Sequence, residues 1–130
     1  MIFMTESKVL RGKGEFDYDY LNDILFFKTK NRNYVKSIEV GQLTLDIDEE
    51  DFITGLQIED ASKFFRLPKI SLKNVKKWQF EAKIENKEIE VRVSFQAVYR
   101  NKAIEKEPIV VKPIEDEMPE SKAKVVCQVA

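Results

Sequence analysis

The amino-acid sequence predicts a mostly β fold of the α+β class. The expected architecture is an antiparallel β-meander, a short helix after the fifth strand, a long β-hairpin, a further strand and a flexible C-terminal tail. Two observations carry this prediction. Residues 16–58 contain short apolar or alternating runs separated by turn residues, and residues 78–97 alternate between apolar and polar side chains with one interruption. A period of two turns one face of a strand toward a core and the other toward water.

The first three strands are predicted in the range 16–40. Residues 16–20 alternate aromatic and acidic side chains, residues 24–27 are apolar on both faces, and residues 34–40 follow a basic loop. A short run that is apolar on both faces is typical of a central strand covered on both sides. Residues 1–15 are polar and mixed, and two glycines bracket Lys13, so we expect a mobile start or a ragged edge strand there.

The fourth and fifth strands flank an acidic turn. The fourth strand alternates between three apolar residues and three polar residues that should face water: Leu43, Leu45 and Ile47 against Thr44, Asp46 and Asp48. Residues 49–51 then interrupt the pattern, because acidic side chains fit poorly in strands and Asp tolerates the backbone angles of turns. Residues 52–58 resume the apolar pattern as the fifth strand.

Five pieces of this half have a recognisable pattern: Tyr18-Asp19, Asp23-Ile24-Leu25-Phe26-Phe27, Ser37-Ile38-Glu39-Val40, Leu45-Asp46-Ile47-Asp48-Glu49 and Gly55-Leu56-Gln57-Ile58-Glu59-Asp60-Ala61-Ser62. Over about residues 17–65 the chain resembles the domain-of-unknown-function 2283 family, and the final Asp-Ala-Ser is the most specific part. Asp51 stands where that family usually has a turn glycine. The resemblance implies paired strands followed by a helical segment, in a small prokaryotic domain with no established activity. It lends no catalytic residues.

The middle of the chain predicts a short helix. Asp60 or Ser62 can cap a helix over residues 61–66 by accepting hydrogen bonds from its free backbone amides. Pro68 disfavours helical geometry at the residue before it and therefore ends the helix. A second helical turn near Leu72, capped by Ser71, is a weaker prediction from the same kind of signal.

The long hairpin has a predicted register. Asn86 and Lys87 are placed at the two central turn positions, because Asn accepts the positive φ that the favoured hairpin turns require. Trp78 then faces Phe95 on the buried side, and the charged pairs on the other face are of opposite sign. A slip of one residue would turn the apolar set of one strand toward water. Residues 109–111 offer one more strand, after a polar loop ending at Pro108.

The 130 residues suit one domain, or one domain with an appendage. We expect a single β-rich domain over residues 1–113, formed by the meander and helix at 17–65 and by the hairpin and strand at 77–113. Residues 114–130 are acidic, then small and polar, and are predicted to form a disordered tail. Deleting this tail is expected to leave thermal stability nearly unchanged.

Composition excludes several kinds of chemistry. Hydrophobic residues are 43% and charged residues 35%, which is typical of a globular protein. Histidine is absent, so histidine-dependent triads and histidine-ligated metal sites are impossible. Cys127 is the one cysteine, which excludes an intramolecular disulfide. No signal sequence or membrane-spanning run is visible, so a cytoplasmic location without membrane contact is expected. No catalytic, cofactor-binding or metal-binding residue is assigned.

The acidic residues 46 and 48–51 raise the question of calcium. An EF-hand loop needs alternating ligands, a central glycine and a distal glutamate. Here Ile47 and Phe52 interrupt the spacing and the glycine is missing. The favoured interpretation is therefore structural: Asp46 and Asp48 lie on the water-facing side of a strand, and the other acidic residues form its turn.

The residues 63–77 are basic without any acidic residue among them. Flanking aromatic residues could stack bases while the basic side chains hold phosphates. The favoured interpretation is a solvated face beside core aromatics, because the chain as a whole has a net charge of −1. The candidate nucleic-acid contacts are the six basic residues of this stretch: Lys63, Arg66, Lys69, Lys73, Lys76 and Lys77.

These observations favour a small non-enzymatic interaction module. It would bind a protein partner, or itself, through an uncovered strand edge or the exposed face of the long hairpin. The alternatives are a nucleic-acid-binding module that uses residues 63–77 and an enzyme that works with carboxylates alone. A pocket enclosing two carboxylates with strongly raised pKa values would favour the enzyme.

Overall fold

The computed structural model describes residues 8–73, 75, 77–114 and 118–128. Within these residues the chain forms ten strands and two short helices, so the predicted mostly β fold is confirmed. The elements in chain order are β1 Lys8–Asp19, β2 Ile24–Thr29, β3 Tyr34–Val40, β4 Leu43–Asp48, β5 Ile53–Ile58, α1 Ala61–Phe65, α2 Lys69–Leu72, β6 Lys77–Glu85, β7 Glu88–Tyr99, β8 Lys102–Lys106, β9 Ile109–Pro113 and β10 Ser121–Gln128.

The strands follow the order β3-β4-β5-β2-β1-β10-β6-β7-β8, with β9 also paired to β7. The first five strands are antiparallel, but β5 rather than β3 lies beside β2, so the order differs from a simple meander. The strand β1 belongs to two sections of sheet. Its second half pairs with β2, and its first half pairs in parallel with β10.

The two sections of sheet face each other across one hydrophobic core. The ring centroids of Phe27 on β2 and Trp78 on β6 lie 3.8 Å apart. The helix α1 contributes Phe65, whose ring packs edge-on against Phe95 at 4.5 Å. All four side chains are buried and belong to a single cluster. A core shared by both sections makes each section depend on the other for burial.

Two glycines allow β1 to pass from one section to the other. A Cβ atom on Gly14 would lie 2.7 Å from Val125 Cγ1 and 2.9 Å from the Trp78 ring. A Cβ atom on Gly12 would lie 2.8 Å from Thr29 Cγ2. All three distances are shorter than real contacts of a Cβ atom, so neighbouring side chains fill the space that a side chain here would need. The expectation of a mobile start is wrong from Lys8 onward, because β1 pairs with β10 over Lys8–Lys13 and with β2 over Gly14–Asp19. Among the described residues each half of β1 pairs on one side only, as in an edge strand. Residues 1–7 lie outside the described residues.

The expected disordered tail over 114–130 is wrong for Ser121–Gln128. This segment forms β10, which lies between β1 and β6 and pairs with both. Ala123 and Val125 are fully buried, which provides the apolar contact that anchors the strand. Residues 115–117 and 129–130 lie outside the described residues.

The register of the long hairpin is confirmed at every predicted pair. Trp78 pairs with Phe95, and both side chains are buried. Asn86 has φ 52° and Lys87 has φ 60°, as a two-residue turn of the favoured kind requires. The strand predicted at 109–111 is confirmed as β9, whereas β8 lies in the stretch expected to be a polar loop.

Three smaller expectations need correction. The strand β2 is interior, but Ile24 and Phe26 on its second face are only half-buried, so a single face is fully covered. The helix α1 begins at Ala61 as expected but ends at Phe65. The short α2 begins after Pro68, not at Ser71. No helix in the described part of the chain is long and apolar enough to cross a membrane.

Candidate functional site

The strand β3 is an open edge of the sheet. It pairs with β4 on one side, and among the described residues no strand pairs with its other side. Its side chains are almost all exposed, with Tyr34 at 60% and Val35 at 57%. An open edge presents unpaired backbone donors and acceptors that can pair with another extended chain.

The hairpin geometry shows which amides of β3 face outward. A two-residue turn joins Val40 to its partner Leu43, so these two residues exchange hydrogen bonds. Bonded and non-bonded pairs alternate along an antiparallel ladder. The N–H groups of Ser37 and Glu39 therefore point away from β4. The Gln42 carbonyl accepts from Glu59 N on the β5 side at 3.5 Å, which agrees with this alternation.

The opposite edge is less open. The strands β8 and β9 pair with successive parts of β7 and are joined at Glu107 and Pro108. Pro108 and Pro113 have no N–H group, and each strand has only five residues. Short edge strands with proline are a common protection against unwanted pairing. Of these two edges, β3 is the longer strand and contains no proline, although its pairing with β4 shifts between Tyr34 and Lys36.

A cavity lies beside the C-terminal half of β3. Its volume is about 520 Å³, and Ile38 and Val40 line it on the β3 side. Ile114 and Met118 line it on the other side, close to the end of β9. An extended segment that paired with β3 could place an apolar side chain in this cavity.

The acidic turn after β4 holds an internal ion pair. The Asp48 side chain is fully buried, contrary to the expectation that it faces water. Arg32 donates to Asp48 and to Glu50, and the backbone amides of Glu50 and Phe52 each donate to Asp48 Oδ1 at 2.9 Å. Burial lowers the pKa of Arg32, but the bonds to Asp48 and Glu50 outweigh it and raise the pKa overall. The Arg32 guanidinium therefore already pairs with the Asp48 carboxylate, which is the group that a calcium site would use.

A second buried carboxylate joins the first turn to α1. Asp23, with φ 56°, accepts from Tyr18 Oη at 2.6 Å, from Ser62 Oγ at 2.6 Å and from Ser62 N at 3.0 Å. Burial raises the pKa of Asp23, but these hydrogen bonds outweigh it and leave the pKa lowered. Burial and the Asp23 carboxylate together raise the pKa of Tyr18. Asp60, at the cap position, makes no side-chain hydrogen bond to the helix, so Asp23 supplies the cap. Within the Asp-Ala-Ser sequence, Ser62 thus ties α1 to Asp23 in the β1–β2 turn.

The basic stretch does not form one cluster around exposed aromatic residues. Phe65 and Trp78 are buried, and Phe64 packs partly against the core. The stretch brings two of its members together, because the ammonium groups of Lys69 and Lys73 lie 5.5 and 4.5 Å from the centre of the Tyr20 ring. The other predicted contacts lie apart along the chain: Lys63 in α1, Arg66 at its C-cap and Lys77 at the start of β6, all exposed. Lys76 lies outside the described residues.

The exposed face of the long hairpin is a mixed ladder of charges. Glu81 lies opposite Arg92 and Lys83 lies opposite Glu90, as the register predicts. The ion pairs run along the strands instead, from Lys83 to Glu85 at 2.6 Å and from Arg92 to Glu90 at 3.6 Å. Lys122 on β10 approaches Glu81 at 4.0 Å. Exposed pairs of this kind contribute little to stability. The described residues hold no group of three His, Cys, Asp or Glu side chains arranged for a metal ion.

These features define a small β-rich domain in which the strand β3 is an open edge. Residues 15–62 match the family described as "Protein of unknown function (DUF2283)". A protein of Methanosarcina mazei named "Putative hypoxanthine phosphoribosyltransferase" is 40% identical over 94 residues, which are 71% of this chain and 75% of that protein. An uncharacterised protein of Methanocaldococcus jannaschii is 32% identical over 99 residues, or 75% of this chain and 85% of that protein.

The chain belongs to the DUF2283 family, as the resemblance of its first half implied. Its function is unknown, and both relatives named here are archaeal. No solved structure matches the chain.

Proposed function

We propose that this protein is a small non-enzymatic module that binds an extended segment of a protein partner by strand addition at β3. The observation that carries the proposal is the open β3 ladder, with outward N–H groups on Ser37 and Glu39. In strand addition, main-chain hydrogen bonds supply affinity and pockets for alternate side chains supply specificity. Exposed Tyr34 and Val35 would contact the partner at one end of β3. The cavity beside Val40 would receive an apolar side chain at the other end. A cytoplasmic location is part of this proposal.

The acidic charge around β3 indicates which kind of peptide segment would bind there. Residues 37–62 contain eight acidic residues and no basic one. Glu39 is exposed on the β3 edge, and Asp46 on the adjoining strand already accepts from Ser37 Oγ at 2.9 Å. A partner strand with Lys or Arg opposite Glu39 would gain a favourable cross-strand pair. The preferred segment therefore combines β-branched or aromatic residues with a basic residue.

The test uses two substitutions at one position. Peptides of nine residues are selected from a random display library against the full chain, and the tightest is measured by fluorescence polarisation. Glu39→Pro removes the outward N–H group, whereas Glu39→Ala keeps it. We expect Glu39→Pro to weaken binding about tenfold or more, and Glu39→Ala to weaken it only a few-fold.

Protein stability provides the internal control. Glu39→Pro should leave the melting temperature within a few degrees of the wild-type value, because an edge strand tolerates proline where the N–H faces solvent. Ile38→Pro removes a ladder bond to Leu45 and should destabilise the fold. Equal binding by the two Glu39 variants, or a library that yields no binder, contradicts the proposal. If Glu39→Pro instead converts a dimer to a monomer in sedimentation experiments, the partner strand is a second copy of this chain.

An enzymatic function has less support. The name of the Methanosarcina relative refers to phosphoribosyl transfer, and phosphate groups commonly bind at helix N-termini. Here the described helices have five and four residues. Asp23, a buried carboxylate, has a lowered pKa, which is opposite to the shift expected of a carboxylate pair poised for acid-base work. Assaying the chain for phosphoribosyl transfer to hypoxanthine tests this alternative directly, and turnover above a no-protein control would revive it.

A further inference from the structure

We infer that a second surface, formed by the β1–β2 turn and α2, docks reversibly on anionic phospholipid membranes. Five residues define this surface, which we call the Tyr20 patch: Tyr20, Leu21, Lys69, Ile70 and Lys73. The inference is independent of the β3 edge, which lies at the end of the sheet beyond β4 and β5.

The patch exposes an unusual amount of apolar side chain. Leu21 is 88% exposed at the tip of the β1–β2 turn, Ile70 is 57% exposed on α2, and Tyr20 is 41% exposed. Contacts between the turn and α2 bring them together, because Lys69 Nζ donates to the Tyr20 carbonyl at 3.3 Å. The Lys73 ammonium lies over the same Tyr20 ring. The apolar side chains therefore project beside two cations.

The turn that carries Leu21 is held in place. Asn22 donates from its backbone N–H to Asp19 Oδ1 at 3.1 Å and from its side-chain amide to Asp19 Oδ2 at 2.8 Å. Asp23, the next residue, is tied to Ser62 as described above. Leu21 is thus presented by an ordered turn, so little conformational entropy is lost when it is buried by a ligand.

The charge of the surrounding surface is positive. Lys63 and Arg66 on the neighbouring helix are exposed, and among the described residues neither they nor Lys69 and Lys73 lie within salt-bridge distance of a carboxylate. Hydrogen bonds from Asn22 lower the pKa of the exposed Asp19 carboxyl, and the charge of Lys69 lowers it further. Basic side chains attract the negative surface of an anionic membrane.

A membrane accounts for both properties of the patch. Aliphatic Leu21 and Ile70 offer no π-face on which a base could stack, and Lys69 and Lys73 already lie against the Tyr20 ring. At a lipid interface, apolar tips enter the headgroup and acyl boundary while cations contact lipid phosphates. One apolar tip and a basic rim give weak, reversible binding rather than permanent anchoring.

The experiment is co-sedimentation of the full chain with vesicles. Equimolar phosphatidylglycerol and phosphatidylcholine vesicles should bind the protein, and phosphatidylcholine vesicles should not. Leu21→Ser should reduce partitioning about tenfold, and the double change Lys69→Gln with Lys73→Gln should reduce it about 25-fold. The controls lie outside the patch: Val111→Ser, at an apolar position that is 50% exposed, and Lys87→Gln with Lys102→Gln, at exposed positions. These controls should bind as the wild type does.

Each remaining outcome overturns the inference. Absence of binding to anionic vesicles contradicts it, and so does binding that Leu21→Ser leaves unchanged, because simple electrostatic adsorption would then suffice. Binding to a single-stranded oligonucleotide that the lysine changes abolish, without vesicle binding, would assign these lysines to nucleic acid. All variants must melt within a few degrees of the wild type, which the exposure of the substituted side chains allows.

Discussion

The burial of β10 makes a prediction that two adjacent valines can test. Val125 is 0% exposed, and Val126 is 41% exposed on the opposite face of the same strand. Alanine at either position loses the same β-propensity, so the difference between the two variants measures burial alone. Val125→Ala removes two buried carbon atoms, which corresponds to about 1.6 kcal/mol of transfer free energy. A cavity contribution raises the expected loss of stability to about 2–3 kcal/mol.

This loss is large enough to measure by thermal unfolding. A chain of 130 residues has an unfolding entropy of about 0.27 kcal/mol/K. The melting temperature of Val125→Ala should therefore fall by about 7–11 °C. Circular dichroism or calorimetry measures this change. Val126→Ala should shift the melting temperature by less than about 3 °C. Equal and small shifts would mean that the segment is a disordered tail after all. A larger shift for Val126→Ala would mean that β10 is displaced by one residue.

Further predictions follow from the other buried contacts. Ending the chain before Ser121 removes β10 from between β1 and β6, so the truncated protein should lose its cooperative unfolding transition in calorimetry. Gly14→Ala should cost about 1–3 kcal/mol in urea unfolding, because Val125 and Trp78 already fill the space of its Cβ. Arg32→Met should cost about 3 kcal/mol or more, since it leaves the buried Asp48 carboxylate without its ion pair. The folded pKa of Asp23 is lowered, so its contribution is complete above the unfolded value of about 4 and is lost as pH falls through the folded value. Asp23→Asn should flatten this acid dependence, as urea unfolding at pH 7 and at successively lower pH would reveal.

The hairpin of β6 and β7 could be predicted fully because each strand has one buried face. In such strands apolar and polar residues alternate in the same way as buried and exposed side chains. Opposite charges on the outer face support the same register. The first half of β1 carries no such signal. Its inward positions at the crossing are Gly12 and Gly14. The side chains that fill this space are Thr29 beside Gly12, and Val125 and Trp78 beside Gly14. The side chains that fill the core at these glycines come from neighbouring strands, so the sequence of β1 itself shows no hydrophobic pattern there.

The sequence does not predict the strand β10, for a related reason. Its inward residues are Ser121, Ala123 and Val125, which are small, and two lysines alternate with them. Asp48 was misplaced because its partner Arg32 lies 16 residues earlier, beyond the reach of any local pattern. Asp23 and Ser62 are 39 residues apart. The family resemblance marked both segments, but only the folded structure joins them.

The sequence predicts that a strand edge is uncovered, but it does not predict which strand forms that edge. The identity of the edge strand depends on the pairing of β5 with β2. That pairing places β3 at the end of the sheet and leaves the amides of Ser37 and Glu39 facing outward.

The central claim is that these two amides bind a partner strand, and amide hydrogen exchange measures this directly. Exchange is followed residue by residue in the free protein and in the complex with the tightest selected peptide. The amides of Ser37 and Glu39 should exchange rapidly in the free protein and become protected about tenfold or more in the complex, while the protection of Ile38 and Val40, bonded to β4 in both states, changes little. Unchanged exchange at Ser37 and Glu39 in the complex would contradict strand addition at β3.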